Sequence, residues 1–314
     1  MPEPSFNTHK NARIYIGVQS AKGVAATTFY NIPLDEEQDI DYDPGYDFFQ
    51  VGGGGVGMTR YYTKGAKVGG KIMLPLVPGY VATAPLYNWI WGRVATADGS
   101  SPQGYWATIK KCIGTGYTET YLDCKVLSGE FSVAYGGKYA ALSLDVGGLQ
   151  KPSVGTGLPS TPNDSIRTVT PYTFNQVAVS IDAEGDGYTA DTYTDNHKLA
   201  FDNMVEEVPS LNGTIFPVGL VNKEATRWSG SFDRVLIDTT LRAAFLDGTE
   251  GAFKLTLTSG SSTCVFECPR ILHTSAKLTP GTGDLIKQTG IAFQALAGLD
   301  DTTEAGSVVE TTGS

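Results

Sequence analysis

Helical periodicity is nearly missing from this chain of 314 residues, which argues against all-α and alternating α/β folds. Charge is sparse as well, at 18% of residues, and what there is leans acidic, with a formal net charge of -10 and a pI of about 4.8. That balance excludes a basic surface built to grip nucleic acid. Cysteine is limited to Cys112, Cys124, Cys264 and Cys268, too few for a disulfide-stapled scaffold. The opening "MPEPSFNTHKNARIYIGVQ" has no apolar secretory core, so the thiols are expected to be reduced, in a protein made in a cytoplasm. "CVFEC" puts Cys264 and Cys268 on one face of a strand, with no further zinc ligands nearby, so all four read as buried structural thiols. No apolar run approaches the roughly 20 residues that a membrane helix needs. Histidine is down to His9, His197 and His273, none in a hydrolase or metalloprotease setting. No catalytic residue, metal ligand or cofactor is assigned, and the expectation is a protein that is not an enzyme.

Glycine and proline are abundant, 38 and 16 residues, against 41% hydrophobic residues. Packed cores with many turns follow, so the expected class is mainly β. "FKLTLTSGSSTCVFEC" and "WATIKKCIGTGYTETYLDC" both read as hairpins around small turn residues. "KYAALSLDVGGL", "QVAVSID" and "GIAFQALAGL" alternate as single strands. Only "TAPLYNWIWGRV" near 83–94 and "TTLRAAFLDG" at 239–248 suit helices, the second opened by Thr and closed by Gly.

From 151 to 167 Pro, Gly, Ser and Thr crowd together without apolar rhythm, the composition of a linker. The halves on either side share an ordered series of landmarks. Each has a glycine entering a strand (Gly70, Gly230), then a short helix, then an aromatic-led hairpin ending in Cys (Trp106 to Cys124, Phe253 to Cys268), then a strand closing in Gly-Leu. The expected organisation is two tandem β-sandwich domains, 1–150 and 168–300, each flanked by one short α-helix, with a flexible tail at 301–314. The acid excess is uneven. Residues 1–150 carry 13 acids and 12 bases, whereas 151–314 carry 20 and 11.

Several motifs imitate chemistry. In "FFQVGGGGVGMTRYYTKGAKVGGKI", Gly52, Gly54 and Gly57 fit G-x-G-x-x-G, while Gly65, Gly70 and Lys71 fit most of a P-loop. The fingerprint needs a helix opening at the glycines, and none is patterned here. The P-loop needs Ser or Thr after the lysine, where Ile72 stands, and Pro75 and Pro78 block a following helix. Backbone freedom is the better use of these glycines. "DAEGDGYTADTY" starts like a calcium loop at Asp182, Glu184, Asp186 and Gly187, but Tyr193 stands where the closing Glu belongs, which leaves a solvated turn and at most a casual ion near Asp182. Trp89, Trp91, Trp106 and Trp228 suit core or interface packing better than a sugar-stacking platform. The alternative to a structural role is a tandem β-sandwich adhesin or carbohydrate-binding module using Trp89, Trp91 or Trp106.

"YIGVQSAKGVAATTFYNIPLDEEQDIDYD" in the first half and "LAFDNMVEEVPSLNGTIFPVGLVNKEATRWSGSFDRVLI" in the second resemble major tail tube proteins of long, flexible-tailed (siphovirus-type) bacteriophages. The resemblance covers most of the chain in element order. It implies β-sandwiches flanked by a helix, assembled into rings whose inner strands join and which stack as a virion tube for DNA ejection. Duplicated members form rings of three chains in place of six. A long loop of each domain, about 42–66 and 206–224 here, would reach the neighbouring ring. That assigns Tyr46, Phe48, Phe49, Gly52, Gly54, Gly57, Arg60 and Tyr61, with Leu211 and Phe216, to inter-ring contact. Implied partners are further copies of the chain, a tape measure protein, and tail terminator and tail tip proteins, with DNA passing unbound and no membrane. DNA moving through a tube must not stick to its wall, and a net acidic protein repels phosphate.

Overall fold

Alternating burial runs through nearly every strand. In β9 (Ala141–Gly148), for example, Leu142, Leu144 and Val146 face the core while Ala141, Ser143 and Asp145 face away. The computed structural model describes residues 12–33, 38–49, 60–79, 84–91, 105–114, 116–183, 187–209, 215–279, 286–297 and 304–311. Its first half comprises β1 (Ala12–Val18), β2 (Tyr30–Ile32), β3 (Asp41–Asp43), β4 (Tyr46–Phe49), β5 (Arg60–Thr63), β6 (Lys67–Pro75), α1 (Ala84–Ile90), β7 (Ala107–Ile113), β8 (Tyr117–Val133), β9 and β10 (Ser153–Gly155). The second half comprises β11 (Val177–Asp182), β12 (Thr189–Ala190), β13 (Thr194–Asp202), β14 (Val205–Val208), β15 (Gly219–Asn222), β16 (Arg227–Val235), α2 (Thr240–Asp247), β17 (Glu250–Ser259), β18 (Ser262–Ser275), β19 (Leu278–Thr279), β20 (Lys287–Ala295) and β21 (Ser307–Thr311). The protein is mainly β, with two α-helices and a 3-10 turn at Phe174–Gln176 among the described residues.

The pairings of the first half recur in the second. β1 lies between β2 and β7, and β11 between β12 and β17. β9 lies between β6 and β8, and β20 between β16 and β18. β3 borders β6 as β13 borders β16, and the hairpin β4–β5 corresponds to β14–β15. Two bulges of each half coincide: Ala107/Ile109 with Gly251/Phe253, and Val126/Ser128 with His273/Ser275, while those at Asp195/Lys198 and Phe232/Arg234 belong to the second half. Bulges fix register, so these pairs align the two halves residue by residue. On that alignment Gly70 matches Gly230, but Cys124 matches Ile271 and Cys268 matches Tyr121. The shared terminal cysteine expected from the sequence is therefore a coincidence of spacing.

Within one chain the halves join directly. Residues Ser128–Val133 of β8 pair antiparallel with His197–Asp202 of β13. A single antiparallel sheet results, in the order β3-β6-β9-β8-β13-β16-β20-β18. At this seam the ring of Phe201 lies across Gly129, where an added Cβ would meet it at 2.4 Å. The core is shared too. Trp91 of the first half packs against Phe201, Trp228 and Phe266 of the second, at centroid distances of 4.8, 5.7 and 5.7 Å.

The segment read as a linker is held against the first half. β10 pairs with β8, Asn163 N–H donates to Phe29 O at 2.7 Å, and Ile166 is buried. The segment read as a flexible tail contains β21, which covers the edge of β18 at Thr263–Glu267. "SVVET" alternates, and Val308 is buried as a result. The turn of β17–β18 is tight, with Gly260 at φ +59 beside a two-residue loop. In α2, Gly248 closes the helix at φ +66 as expected, but Thr239 makes no side-chain cap. Asp238 caps it instead, its carboxylate accepting from Thr240 N–H at 3.0 Å.

Two buried histidines make the fold sensitive to acid. His197 stacks near Phe232 and Phe253 at 6.0 and 6.3 Å, and burial pushes its pKa down to about 4 despite Asp195, Asp191 and Asp233 nearby. Burial alone does the same to His273, also to about 4. A base whose folded pKa is depressed binds fewer protons folded than unfolded, so stability falls as pH drops below the unfolded value near 6.5. At pH 5 the expected loss is about 2 kcal/mol per histidine relative to pH 8. Urea unfolding of wild type and His273→Gln at both pH values measures it, and the variant is expected to lose about half of the pH dependence.

Candidate functional site

Strand alternation turns one face of the continuous sheet toward the core and leaves the other as an open polar trough. Ser128, Glu130, Ser132, Ser143, Asp145 and Ser229 line its middle, around the β8–β13 seam. Small side chains predominate there because the large ones (Phe131, Leu142, Leu144, Leu199, Phe201) point the other way into the core. Charges on this face nearly balance: Asp41, Asp43, Glu130, Asp145, Asp195, Asp202 and Asp233 against Lys67, Lys71, Lys198, Arg227, Lys277 and Lys287. Two of the bases are engaged, Lys198 with Glu130 at 3.6 Å and Arg227 with Glu224 at 2.6 Å. The acid excess of the second half therefore lies away from this face, a distribution that counting residues by half does not reveal.

Two hairpins of four-residue strands follow β3 and β13. Of the residues assigned to inter-ring contact, Tyr46, Phe48 and Phe49 lie on β4, and Arg60 and Tyr61 on β5. Their backbones pair Phe48 with Tyr61 and Phe49 with Arg60. Tyr46 and Tyr61 meet edge to face at 5.3 Å and are 56% and 66% exposed. At the hairpin base Asp47 takes Tyr62 Oη at 2.9 Å and Lys64 Nζ at 2.5 Å. Gly52, Gly54, Gly57 and Leu211 lie outside the described residues. Phe216 is half-buried and stacks on Tyr42 at 6.0 Å, while Ile215 O accepts from Ala66 N–H at 2.9 Å. The connection between β14 and β15 thus touches the base of the first expected loop.

The second hairpin, β14–β15, has its base docked on the first half. Leu220, with Val205 beside it, packs against Trp106 and Leu149. Lys125 lies beneath, 4.7 Å from the Trp106 ring, with Nζ donating to Asn222 Oδ1 at 2.8 Å. Burial, with Lys22 nearby, lowers its pKa to about 8. Asn203 completes the contact through Nδ2–H to Val126 O at 3.1 Å and N–H to Leu127 O at 2.9 Å. No local pattern in the sequence marks Lys125 or Asn203, because their partners are remote in the chain.

The imitation motifs come apart. Gly70 and Lys71 sit inside β6, not in a loop before a helix. Gly70 takes φ +150, and an added Cβ there would stand 2.5 Å from Asp39 O. Asp182 accepts from Gly187 N–H at 3.2 Å, Glu184 and Asp186 lie outside the described residues, and no metal-binding group of His, Cys, Asp or Glu occurs among the described ones. All four tryptophans are buried, which removes the exposed indoles an adhesin would use. All four cysteines are free and buried.

What these features define is a structural class: strands, a polar sheet face and projecting hairpins. A family model described as phage tail tube protein matches residues 10–295, most of the chain. The chain belongs to the phage tail tube protein family, and is a structural component of a virion. No curated protein matches it.

Proposed function

We propose that this chain self-assembles into closed rings that stack into the tube of a siphovirus-type tail, the conduit for DNA ejection. The observation that carries this reading is the β8–β13 seam, where the two halves of one chain add their strands edge to edge into one sheet. The recurrence of the major pairings and of the bulges at Ala107/Ile109 and Val126/Ser128 supports duplication of one β-sandwich domain. A chain built as two ring segments needs three copies where a single-domain subunit needs six.

The sheet's polar face would line the bore. Its small side chains and nearly balanced charge give phosphates no net attraction, so passing DNA gains little from counterion release. The two hairpins would reach the next ring, with Tyr46 and Tyr61 on one and Phe216 in the connection of the other. Partners on this reading are other copies, the tape measure protein and the tail terminator and tip proteins. Synthesis in the host bacterial cytoplasm fits the four free thiols.

Negative-stain electron microscopy of the purified chain tests the proposal. Rings or tubes of uniform bore are expected. A protein that stays monomeric across concentration, salt and pH contradicts it.

A further inference from the structure

The internal seam also specifies how one copy meets the next. The bulge alignment makes β3 the counterpart of β13, with Ile40 at Leu199, Asp41 at Ala200 and Asp43 at Asp202. It also makes the end of β18 together with β19 the counterpart of the end of β8, with Ser275 at Ser128, Lys277 at Glu130 and Leu278 at Phe131. β8 and β13 are joined. Among the described residues, the matching edges of β3 and of β18–β19 carry no paired strand, and they lie at opposite ends of the continuous sheet.

We infer that, in the ring proposed above and resting on that reading, β3 of one copy pairs antiparallel with Ser275–Thr279 of the next copy, Asp43 opposite Ser275 and Asp41 opposite Lys277. Three observations favour a second copy of this chain as the occupant. Asp41 and Lys277 are both exposed and opposite in charge, and this register sets them face to face. Leu278 is 39% exposed although its counterpart Phe131, beside β13, is 0% exposed. Tyr46 and Tyr61 are the register counterparts of Val205 and Leu220, the pair that docks beside Trp106 in the internal seam. Their exposed edge-to-face pair thus comes over Leu272 and Leu296 of the next copy, the counterparts of Lys125 and Leu149. The Ala276 carbonyl already takes Arg242 Nη1 at 2.9 Å and keeps a second lone pair for the incoming strand. The contact is head-to-tail, and its repetition gives a ring where the rotation between copies closes.

Cysteine pairs in the full-length chain test the register. Opposite positions in an antiparallel pair lie about 4.5–5.5 Å apart at Cα, within disulfide reach. Asp41→Cys with Lys277→Cys is expected to give reducible links between copies that end at a trimer. Asp39→Cys with Lys277→Cys, displaced by two residues, is expected to give at least tenfold less. Glu130→Cys with Ala200→Cys, across the internal seam, gives the intrachain standard. The native thiols are buried and add little background. If the cysteine variants do not assemble, charge reversal decides: Asp41→Lys alone abolishes assembly and Lys277→Asp added to it restores it. Rings in the micrographs without preferential 41–277 linkage, or without charge-reversal rescue, overturn the register and leave the ring reading standing. Absence of both rings and links between copies overturns both.

Discussion

Replacing Trp91 by alanine is expected to lower the unfolding free energy by about 3–5 kcal/mol, the range for deleting a buried aromatic. Trp91 is 5% exposed and sits just after α1, where it meets Phe201, Trp228 and Phe266 from three strands of the second half. Phe266 in turn stacks on Phe131 of the first half at 4.6 Å. The cavity left by alanine cannot close easily, since its walls belong to strands whose registers are pinned by bulges. Trp91→Phe retains most of the volume and is expected to lose about 1–2 kcal/mol. Chemical denaturation checks both. Because the indole ties the halves together, unfolding is expected to stay a single transition in wild type, while the alanine variant broadens or splits it.

The second large effect is expected at Arg234. This guanidinium is 8% exposed and holds two carboxylates, Nε–H to Asp191 at 2.6 Å and Nη1 and Nη2 to Asp238 at 3.1 and 3.0 Å. Its hydrogen bonds hold the Asp238 carboxyl below the ordinary carboxylate range, and Asp238 in turn caps α2. Arg234→Met keeps the stem and removes the charge, leaving Asp191 buried beside no cation. A loss of about 3–5 kcal/mol is expected, as for other broken buried pairs. Arg234→Lys keeps the charge without the planar fork and is expected to lose less. A depressed carboxylate pKa stabilises the fold above its unfolded value and the benefit vanishes as pH falls through the folded one. The gap between the Met variant and wild type is therefore expected to narrow as pH falls below the ordinary aspartate value near 3.8, where the unfolded chain takes up the proton first. Urea titrations at pH 7 and pH 3.5 check the sign.

What was legible in the sequence was local. Both hairpins, both helices and the alternating strands follow from patterns spanning fewer than 20 residues, and the structure places them as expected. Distant pairing was not legible. The Pro- and Ser-rich stretch looked like a linker because composition does not show that Asn163 and Ile166 have partners on β2 and in the core. The terminal segment looked flexible because nothing local shows that β18 has an edge for it to cover. Cys124 and Cys268 suggested an alignment that the bulges at Ala107/Ile109 and Gly251/Phe253 correct. The loop residues were a mixed case: β4 and β5 form a hairpin, and Phe216 joins its base through Tyr42, but the glycines between them lie outside the described residues. Lys125, Asn203 and Arg234 left no signal, since each acquires its meaning from strands far away in the chain.

Symmetry-averaged electron cryomicroscopy of the assembled protein, resolving the strands of one ring, is the most direct measurement. Three copies per ring are expected, with the sheet order of one chain continued from β18–β19 into β3 of its neighbour around an unbroken wall. A ring of six copies, or copies that touch only through helices or hairpins with these two edges left in solvent, would contradict it.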